Sequence, residues 1–497
     1  MSVSAPKARQ ARPKKRKLSP AKIVLVVLAV LLSLLVLKVV LILTAEPTIS
    51  LDYVAEWNRI AKPPNYDPNQ NALFDYQKAV SYLVPADQIG VKANYNCSAK
   101  WEPDELKDVI QWINANERAL DYLESGCNKP YFWVEISPTG KSILEWDIRS
   151  QIRIDKLKEI CELQNYRAKL RAANKDIAGA LRDILVNCKT ASQLARSKPM
   201  IGQRVGISLW SHTIDTALVI LDKPEVRAVE LEHFHRQVQE EAQKVSGALA
   251  LSVEKLGFLD IIQRIYTDDE GGNGHLIVCE LSRELFRWHL QMSTRQRSPR
   301  QVPALWRNFL TRLQLHDIRQ GSDLPLNTKL LWMAMFGPDR RQTVKHIDRF
   351  FERLASVQEY KLWELHQRGI CSDRDILAGG ELHILEPTSD LFYYSCIELH
   401  QRLRCAQSAL VTVVAVLRYQ ADRCTLPKSL RELVSAGYLD NLPQDPYSPG
   451  PLVYERKGSD FVLCSFGADC DDDGGTPSDW GEGPQGGDQV FWPVQAK

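Results

Sequence analysis

Five aspartates near the C-terminus are the residues of this sequence best suited to chemistry. They lie within eleven residues, and they are Asp469, Asp471, Asp472, Asp473 and Asp479. The hexapeptide 469–474 matches the start of a calcium loop, with carboxylates at positions 1, 3 and 5 and a glycine at position 6. Oxygen ligands on alternate residues can converge on one Ca²⁺ because the glycine allows the sharp turn between them. The spacing alone therefore predicts a calcium site that includes Asp471 and Asp473, and the alternative is a solvated acidic turn.

The rest of an EF-hand is missing from this loop. Its ninth position is Pro477 and its twelfth is Trp480, where an EF-hand carries a bidentate glutamate. The flanking residues have the pattern of strand and coil instead of helices. Five neighbouring carboxylates nevertheless repel one another unless a cation neutralises them. We therefore expect calcium binding outside a helix–loop–helix unit.

The central region offers weaker metal candidates. Glu232, His233 and His235 could supply zinc ligands, but residues i and i+2 of a helix point to different sides. The two histidines flank Phe234 of an apolar stripe, so we expect both to be solvated shoulders of a packed helix. The loop 268–274 either binds a cation or only connects two helices. The sequence contains no zinc-protease, nucleophile-elbow, phosphate-loop or Cys-x-x-Cys motif.

One apolar stretch near the N-terminus predicts that the chain is attached to a membrane. Ile23–Leu43 holds 21 residues, of which only Ser33 and Lys38 are polar, and this predicts one bilayer-spanning helix rather than a buried core helix. Lys38 is near enough to one end for its ammonium to reach the headgroups. The long run predicts a retained signal anchor instead of a cleaved signal peptide.

The basic tail 1–22 sets the orientation of this anchor. Its charged residues are Lys7, Arg9, Arg12, Lys14, Lys15, Arg16, Lys17 and Lys22. Positive charge directly before a span predicts a cytoplasmic N-terminus, and hence the bulk of the chain on the other side of the membrane. A nucleic-acid arm is the alternative, but an orientation signal that also touches anionic lipid explains the position better. We expect no nucleic-acid partner.

Composition and cysteine content agree with a folded domain outside the cytoplasm. The chain has 497 residues, 25% of them charged, with a net charge of +2, which argues against a general polyanion partner. Eleven cysteines in an oxidising compartment could form disulfides, with at least one left unpaired. The pairs Cys97–Cys127 and Cys161–Cys188 are candidates, and buried free thiols are the alternative for all of them.

The middle of the chain predicts helices. Residues 44–70 are expected to form a stalk that wraps onto the domain through Trp57 and Tyr66, and residues 71–385 a mostly helical periplasmic domain, either a bundle or a short solenoid. Within it, Tyr131–Ile136 is the one clear strand candidate. Apolar residues recur at helical spacing in four stripes, which begin at Ile177, Ile207, Leu231 and Val344.

A change of character near residue 385 predicts a separate α+β domain over 386–497. A long helix is expected over 389–421, followed by proline-rich turns, a hairpin over Tyr454–Phe461 and the aspartate-rich loop. The motifs, in order, are Leu426-Pro427-Lys428-Ser429-Leu430, Gly437-Tyr438-Leu439, Leu442-Pro443-Gln444-Asp445-Pro446-Tyr447, Phe461-Val462-Leu463-Cys464-Ser465-Phe466-Gly467-Ala468-Asp469 and Gly487-Asp488-Gln489-Val490.

This order resembles the C-terminal domain of the G-type major pseudopilin of type II secretion. The resemblance covers about a fifth of the chain and implies that the loop binds calcium, with Asp469 and Asp488 as ligands. The predicted metal ligands are therefore Asp469, Asp471, Asp473 and Asp488. Ile23–Leu43 lacks the pseudopilin processing site and its glutamate, so assembly through stacked N-terminal helices is not expected.

The fold class expected is mainly α, with a single N-terminal transmembrane helix, a helical ectodomain and a small pseudopilin-like α+β domain. The resemblance implies a bacterial inner-membrane protein with the bulk of its chain in the periplasm. The function expected is a non-enzymatic binding or scaffolding role in the cell envelope, with protein partners there and a calcium-stabilised C-terminal domain. Two alternatives remain open. One is a periplasmic hydrolase with its site in the helical domain, and the other is an accessory subunit of a type II secretion or pilus-like machine.

Overall fold

The computed structural model describes residues 19–90, 103–137, 153–268, 273–277, 280, 334–376, 393–480 and 486–494. Within these ranges the protein is mainly helical, as the sequence predicts. The predicted boundary near residue 385, Cys97 and most of the 268–274 loop lie outside them.

The helices are α1 (Pro20–Thr44), α2 (Tyr53–Ala61), α3 (Leu73–Tyr82), α4 (Ala86–Ile89), α5 (Pro103–Ala115), α6 (Glu117–Cys127), α7 (Ile154–Ala173), α8 (Ile177–Ala195), α9 (Met200–Leu221), α10 (Ala228–Lys244), α11 (Ser252–Ile265), α12 (Arg340–Val357), α13 (Leu362–Gln367), α14 (Asp373–Ile376), α15 (Tyr393–Arg423) and α16 (Leu430–Ser435). The strands are β1 (Val453–Lys457), β2 (Asp460–Ser465) and β3 (Gln489–Trp492).

Helix α1 contains the predicted membrane span. Its apolar stretch Ala21–Val40 has 20 residues with a mean hydropathy of 3.2, and none of it is buried in the protein. At 1.5 Å per residue this stretch is about 30 Å long, so the helix is long and apolar enough to cross a bilayer. The Lys38 ammonium donates a hydrogen bond of 2.9 Å to the Met335 carbonyl.

Helix α8 lies at the centre of the helical body. It packs against α6, α7, α9 and α10. Its predicted stripe is buried, from Ile177 at one end to Cys188 at the other, which confirms the helical period. Gly206 lets α9 pack closely against α8, because a Cβ at this position would overlap the backbone of Ala195 in α8. The core of the body is therefore formed where amphipathic helices meet along α8.

The segment 131–137 is extended but forms no strand, so the strand prediction there is wrong. Only Tyr131 pairs with another backbone segment, in a single bridge to Asn71. The Asn71 side chain accepts from the Trp133 N–H at 3.1 Å and donates to its carbonyl at 2.8 Å. In the same way, the Asn58 side chain accepts from the Ile136 N–H at 2.9 Å and donates to the Ile136 carbonyl at 2.8 Å. Two asparagines thus satisfy the polar backbone groups that a neighbouring strand would otherwise satisfy.

The predicted stalk contains helix α2 and contacts the body as expected. Trp57 of α2 is buried against Ile136 and Val253. Tyr66 lies edge-on to Trp133, with ring centroids 4.8 Å apart. The two aromatic residues singled out from the sequence are therefore contact points between this segment and the helical body.

The described cysteines are free thiols, so for Cys161 and Cys188 the structure supports the alternative of buried free thiols over the candidate bridge. Cys161 in α7 and Cys188 in α8 are both buried, and so is Cys127, the described half of the other candidate pair. Burial raises the pKa of the Cys127 thiol to about 12, which keeps it protonated. These sulfurs pack in the helical core as small apolar groups, and the core supplies the cohesion that a disulfide would otherwise add.

The sheet and α15 form the C-terminal part. The three strands pair antiparallel in the order β1-β2-β3, and β2 and β3 pack against α15. The predicted hairpin is confirmed, with Lys457 opposite Asp460 and Gly458 in the turn at a φ of 66°. Helix α15 corresponds to the long helix predicted over 389–421, whose first residues lie outside the described part. It also packs against α9 and α10, which joins this part to the helical body.

Candidate functional site

The aspartate-rich loop connects β2 to β3 and is closed at both ends by backbone hydrogen bonds. Near β2, the Ala468 N–H donates to the Trp480 carbonyl at 2.6 Å. Near β3, Ser478 and Asp488 are joined by a bond of 2.9 Å, and the Asp488 N–H donates to the Thr476 carbonyl at 2.8 Å. The loop therefore returns on itself, as a cation site built from residues 469–488 requires. Residues 481–485 of the loop lie outside the described part.

Asp488 is the last residue of the loop before β3 and is fully buried. Its carboxylate accepts from the Gly475 N–H at 2.6 Å and from the Asp473 N–H at 3.5 Å. Burial raises the pKa of Asp488, the nearby charges of Asp472 and Asp473 raise it further, and the two backbone bonds oppose this effect. This predicted ligand therefore holds the backbone of the calcium-like segment in place.

Two further predicted ligands approach each other at Gly486. The Asp469 carboxylate accepts from the Gly487 N–H at 3.0 Å. A Cβ at Gly486 would overlap an oxygen of this carboxylate and would stand 3.7 Å from an oxygen of Asp473. The carboxylates of Asp469 and Asp473 thus face the same short stretch of backbone, where only a glycine fits at a φ of 68°.

Asp471 does not join this arrangement. Its side chain is exposed and accepts from the N–H of the following residue, Asp472, at 2.9 Å. Among the described residues, no three His, Cys, Asp or Glu side chains lie close enough together to hold a metal ion. The loop brings Asp469, Asp473 and Asp488 to one side of its turn without forming such a group.

Trp480, which stands where an EF-hand has its last ligand, attaches the loop to the long helix. Its ring packs against Tyr447, with centroids 6.0 Å apart, and against Phe491 at 5.8 Å. The Arg402 guanidinium of α15 lies 5.4 Å from the same ring. Arg402 also donates to the Tyr447 hydroxyl at 2.6 Å and forms an ion pair with Glu398 at 2.8 Å. An apolar and cation–π anchor therefore replaces the missing glutamate.

Asp445 is a second structural carboxylate, and sequence reasoning missed it. It is fully buried and accepts from the N–H of Tyr447 at 2.9 Å, the hydroxyl of Ser465 at 2.7 Å and the N–H of Phe466 at 3.0 Å. It joins the proline-rich turn to the end of β2, directly before the aspartate-rich loop. The Asp445-Pro446 dipeptide is a turn signal that marks the position but not its partners.

A cavity of about 480 Å³ lies between α6, α8 and α10 in the helical body. Glu124, Glu230 and His233 are among its lining residues. Glu230 forms an ion pair with Arg227, and the Nε2 atom of His233 lies 3.0 Å from the side-chain nitrogen of Gln237. The cavity thus combines carboxylates with one histidine between helices.

His235 does not lie on a solvated shoulder, which corrects the prediction. It is buried, and its Nδ1 atom accepts from the Arg418 guanidinium at 2.8 Å. Burial lowers the pKa of this imidazole to about 4, with a smaller contribution in the same direction from the neighbouring Arg418 charge. The reason is that α15 covers this side of α10, while His233 stays exposed as predicted.

The fold and the loop together define a mainly helical protein with one apolar N-terminal helix and a small antiparallel sheet beside an aspartate-rich loop. No protein-family model matches the chain, and searches of curated proteins and of solved structures found no match. The resemblance of residues 390–493 to the G-type pseudopilin stays a prediction from its motifs.

Proposed function

We propose that this chain is a single-pass protein of a bacterial inner membrane with a non-enzymatic binding or scaffolding role in the periplasm. The anchor is α1, whose 20-residue apolar run has the length that a bilayer requires. The eight basic residues before it favour a cytoplasmic N-terminus. The described helical and sheet regions then lie in the periplasm, where protein partners of the cell envelope are available.

The C-terminal part, in this proposal, is a pseudopilin-like domain that calcium stabilises. The observation that supports calcium binding is the environment of the Asp473 carboxylate. Its carboxylate faces the Gly486 backbone beside Asp469 and accepts no hydrogen bond from the described part of the chain. A Ca²⁺ ion bound there would neutralise Asp469, Asp473 and the nearby Asp488, and backbone carbonyls and water would complete its oxygen ligands.

Thermal unfolding of the full chain in detergent, with and without Ca²⁺, tests this site. A ligand at ten times its Kd adds about 1.4 kcal/mol to the free energy of unfolding, so we expect Ca²⁺ to raise the Tm of the wild type. The Asp473→Asn variant should fold normally, because it loses no hydrogen bond within the described residues, but its Tm should not respond to Ca²⁺.

Asp479→Asn is the matched control, since it removes one charge from the exposed part of the same loop. It should keep the calcium response of the wild type. An equal response in wild type, Asp473→Asn and the double variant Asp469→Ala/Asp473→Ala would overturn the calcium proposal. Mg²⁺ at the same concentration is a second control. A calcium site should raise the Tm more with Ca²⁺ than with Mg²⁺, whereas general screening of the loop charges should be the same for both ions.

The scaffolding role includes the alternative of an accessory subunit in a type II secretion or pilus-like machine. The pseudopilin-like motifs favour this alternative, whereas the missing processing site argues against a position within the pilus itself. Affinity purification from solubilised membranes, followed by mass spectrometry, tests it. Recovery of secretion-machine subunits with the full chain, but not with a chain lacking 390–497, is the result expected.

A periplasmic hydrolase is the second candidate function. The cavity lined by Glu124, Glu230 and His233 favours it, because carboxylates and a histidine between helices are potential general acids and bases. Hydrolysis of ester, peptide and phosphodiester substrates by the purified chain tests it. Activity that is lost in both Glu124→Gln and His233→Gln, with unchanged Tm, would place catalysis there and remove the non-enzymatic proposal.

A further inference from the structure

A cavity of about 380 Å³ lies where three separate segments meet in the helical body. These segments are 60–64 at the end of α2, 130–134 at the start of the extended segment, and 193–199 from the end of α8 to the start of α9. Its wall includes three basic side chains, Lys62, Arg196 and Lys198, and none of the lining residues is Asp or Glu. We call this cavity the basic pocket.

The positive charges of the basic pocket have no carboxylate partner among the described residues. Lys62 lies over aromatic rings, with its ammonium 5.1 Å from the Tyr66 centroid and 5.5 Å from that of Trp133. Arg196 is exposed and donates through Nε to the Ser192 carbonyl at 3.3 Å. Lys198 is exposed and forms no ion pair within the described ranges. Three cations without a counter-charge give the cavity a potential that attracts anions.

An unsatisfied buried donor in the same wall points to a ligand independently of the charges. The side chain of Trp133 is only 7% exposed, and its indole N–H has no hydrogen-bond partner in the described part of the chain. The Asn71 side chain holds the backbone of this residue through both of its polar groups. Buried donors are nearly always paired, so an acceptor oxygen on a bound molecule is the partner that this N–H lacks.

Most of the other lining residues are apolar, and Gln193 and Ser197 are the polar ones. The apolar ones include aromatic residues and prolines, among them Pro63, Pro130, Tyr131, Phe132 and Pro199. Aromatic and proline surfaces of this kind pack against rings and other rigid apolar groups. A bare inorganic anion would leave this surface unused.

We propose that the basic pocket binds a small organic oxyanion, a carboxylate or a phosphate ester that carries a ring. Its charged oxygens lie near Lys62, Arg196 and Lys198, one oxygen accepts the Trp133 N–H, and the ring packs on the aromatic and proline wall. The proposal uses none of the residues of the aspartate-rich loop, so it stands or falls separately from the calcium site.

Isothermal titration of the full chain in detergent tests the pocket with four probes: phenyl phosphate, benzoate, inorganic phosphate and benzyl alcohol. We expect phenyl phosphate or benzoate to bind, and we expect the other two, which lack either the ring or the charge, to bind about tenfold more weakly or not at all. Preference for phenyl phosphate assigns the pocket to phosphate esters, and preference for benzoate assigns it to carboxylates. If neither phenyl phosphate nor benzoate binds, the proposal is overturned.

Three variants locate the binding. Arg196→Gln/Lys198→Gln should weaken it at least about tenfold, since two of the three positive charges of the pocket are removed. Lys223→Gln/Arg236→Gln removes two exposed charges elsewhere on the helical body and should bind like the wild type. Trp133→Phe keeps the ring but not the donor, and it should weaken binding about threefold to tenfold without lowering the Tm.

The Trp133→Phe result separates the proposed role from a merely structural one. A tryptophan needed only for packing would lose little affinity on replacement by phenylalanine and would lower the Tm. Equal affinity for the aromatic anion in wild type and in Arg196→Gln/Lys198→Gln would place the binding elsewhere and contradict the proposal.

Discussion

Individual asparagine and aspartate side chains hold the irregular backbone of this protein. Asn71 and Asn58 each bond both polar groups of one residue in the extended segment. Asp445 and Asp488 do comparable work around the sheet, where each accepts backbone N–H groups while fully buried. Such residues are costly to replace, because the backbone groups they satisfy stay buried after the side chain is gone.

Asn71→Ala tests this at the residue scale. The change removes both bonds to Trp133 and a third bond of 3.2 Å from the Leu73 N–H, so we expect the free energy of unfolding to fall by about 2–4 kcal/mol. Urea unfolding followed by circular dichroism measures it. The exposed side chain of Asn69, two residues earlier, makes no hydrogen bond to any described residue, so Asn69→Ala is the control. Equal stability of the two variants would contradict this account of Asn71.

At the element scale, α15 connects the two parts of the molecule. One side of it covers α9 and α10, and another supports β2 and β3. His400 lies in the first of these contacts, where its Nε2 atom lies 3.2 Å from the Val245 carbonyl just after α10. Burial lowers the pKa of His400 to about 4, with a further contribution from the Arg404 charge and an opposing one from the Val245 bond.

This histidine makes the contact between α10 and α15 sensitive to acid. The ordinary pKa of 6.5 applies in the unfolded chain, so between pH 6.5 and about 4 the unfolded state binds more protons than the folded state. The free energy of unfolding therefore falls as the pH drops through this interval. For His400 alone, the fall from pH 7 to pH 5 is about 2 kcal/mol.

His400→Gln should reduce the loss of stability between pH 7 and pH 5 by about that amount, because glutamine can donate to the Val245 carbonyl and does not titrate. Urea unfolding at the two pH values measures the difference. His212→Gln, on the exposed side of α9, should leave the pH dependence as it is in the wild type. A pH dependence of His400→Gln equal to that of the wild type would show that this imidazole does not titrate between the two states.

At the scale of the whole molecule, the folded body leaves the apolar side chains of one helix, α1, uncovered. The side chains of Ala21–Val40 are not buried, whereas the helices of the body bury continuous apolar faces against one another. Exposed apolar area of this size is stable only in a lipid or protein environment. The proposed membrane anchor therefore accounts for the part of the chain that packing within the body leaves uncovered.

Leu31→Arg/Leu34→Arg tests the anchor. Two charges near the middle of the span cost about 5–7 kcal/mol on insertion scales, so the variant should leave the membrane fraction on alkaline carbonate extraction. Leu31→Ile/Leu34→Ile keeps the hydropathy and should stay in the pellet with the wild type. Retention of the arginine variant would mean that the body, and not α1, holds the protein at the membrane.

The sequence by itself determined the features that depend on neighbours along the chain. The length and composition of 23–43, the 3.6-residue period of the helical stripes, the hairpin around Gly458 and the alternating aspartates of 469–473 can all be read locally. The cysteines and the segment 131–136 have equally suggestive local patterns, but distant residues decide their state. Asn71 and Asn58 provide the bonds that make a strand partner unnecessary, and α15 buries His235.

Only the tertiary structure decided which side chains meet. Asp469 and Asp473 approach each other because the loop closes at Gly486, while Asp471, equally well placed by spacing, turns outward. The basic pocket joins Lys62, Trp133 and Arg196, which the sequence separates by more than sixty residues at each step. Periodicity determines which face of an element is buried, but the contacts between elements depend on packing of the whole chain, and binding sites are made of those contacts.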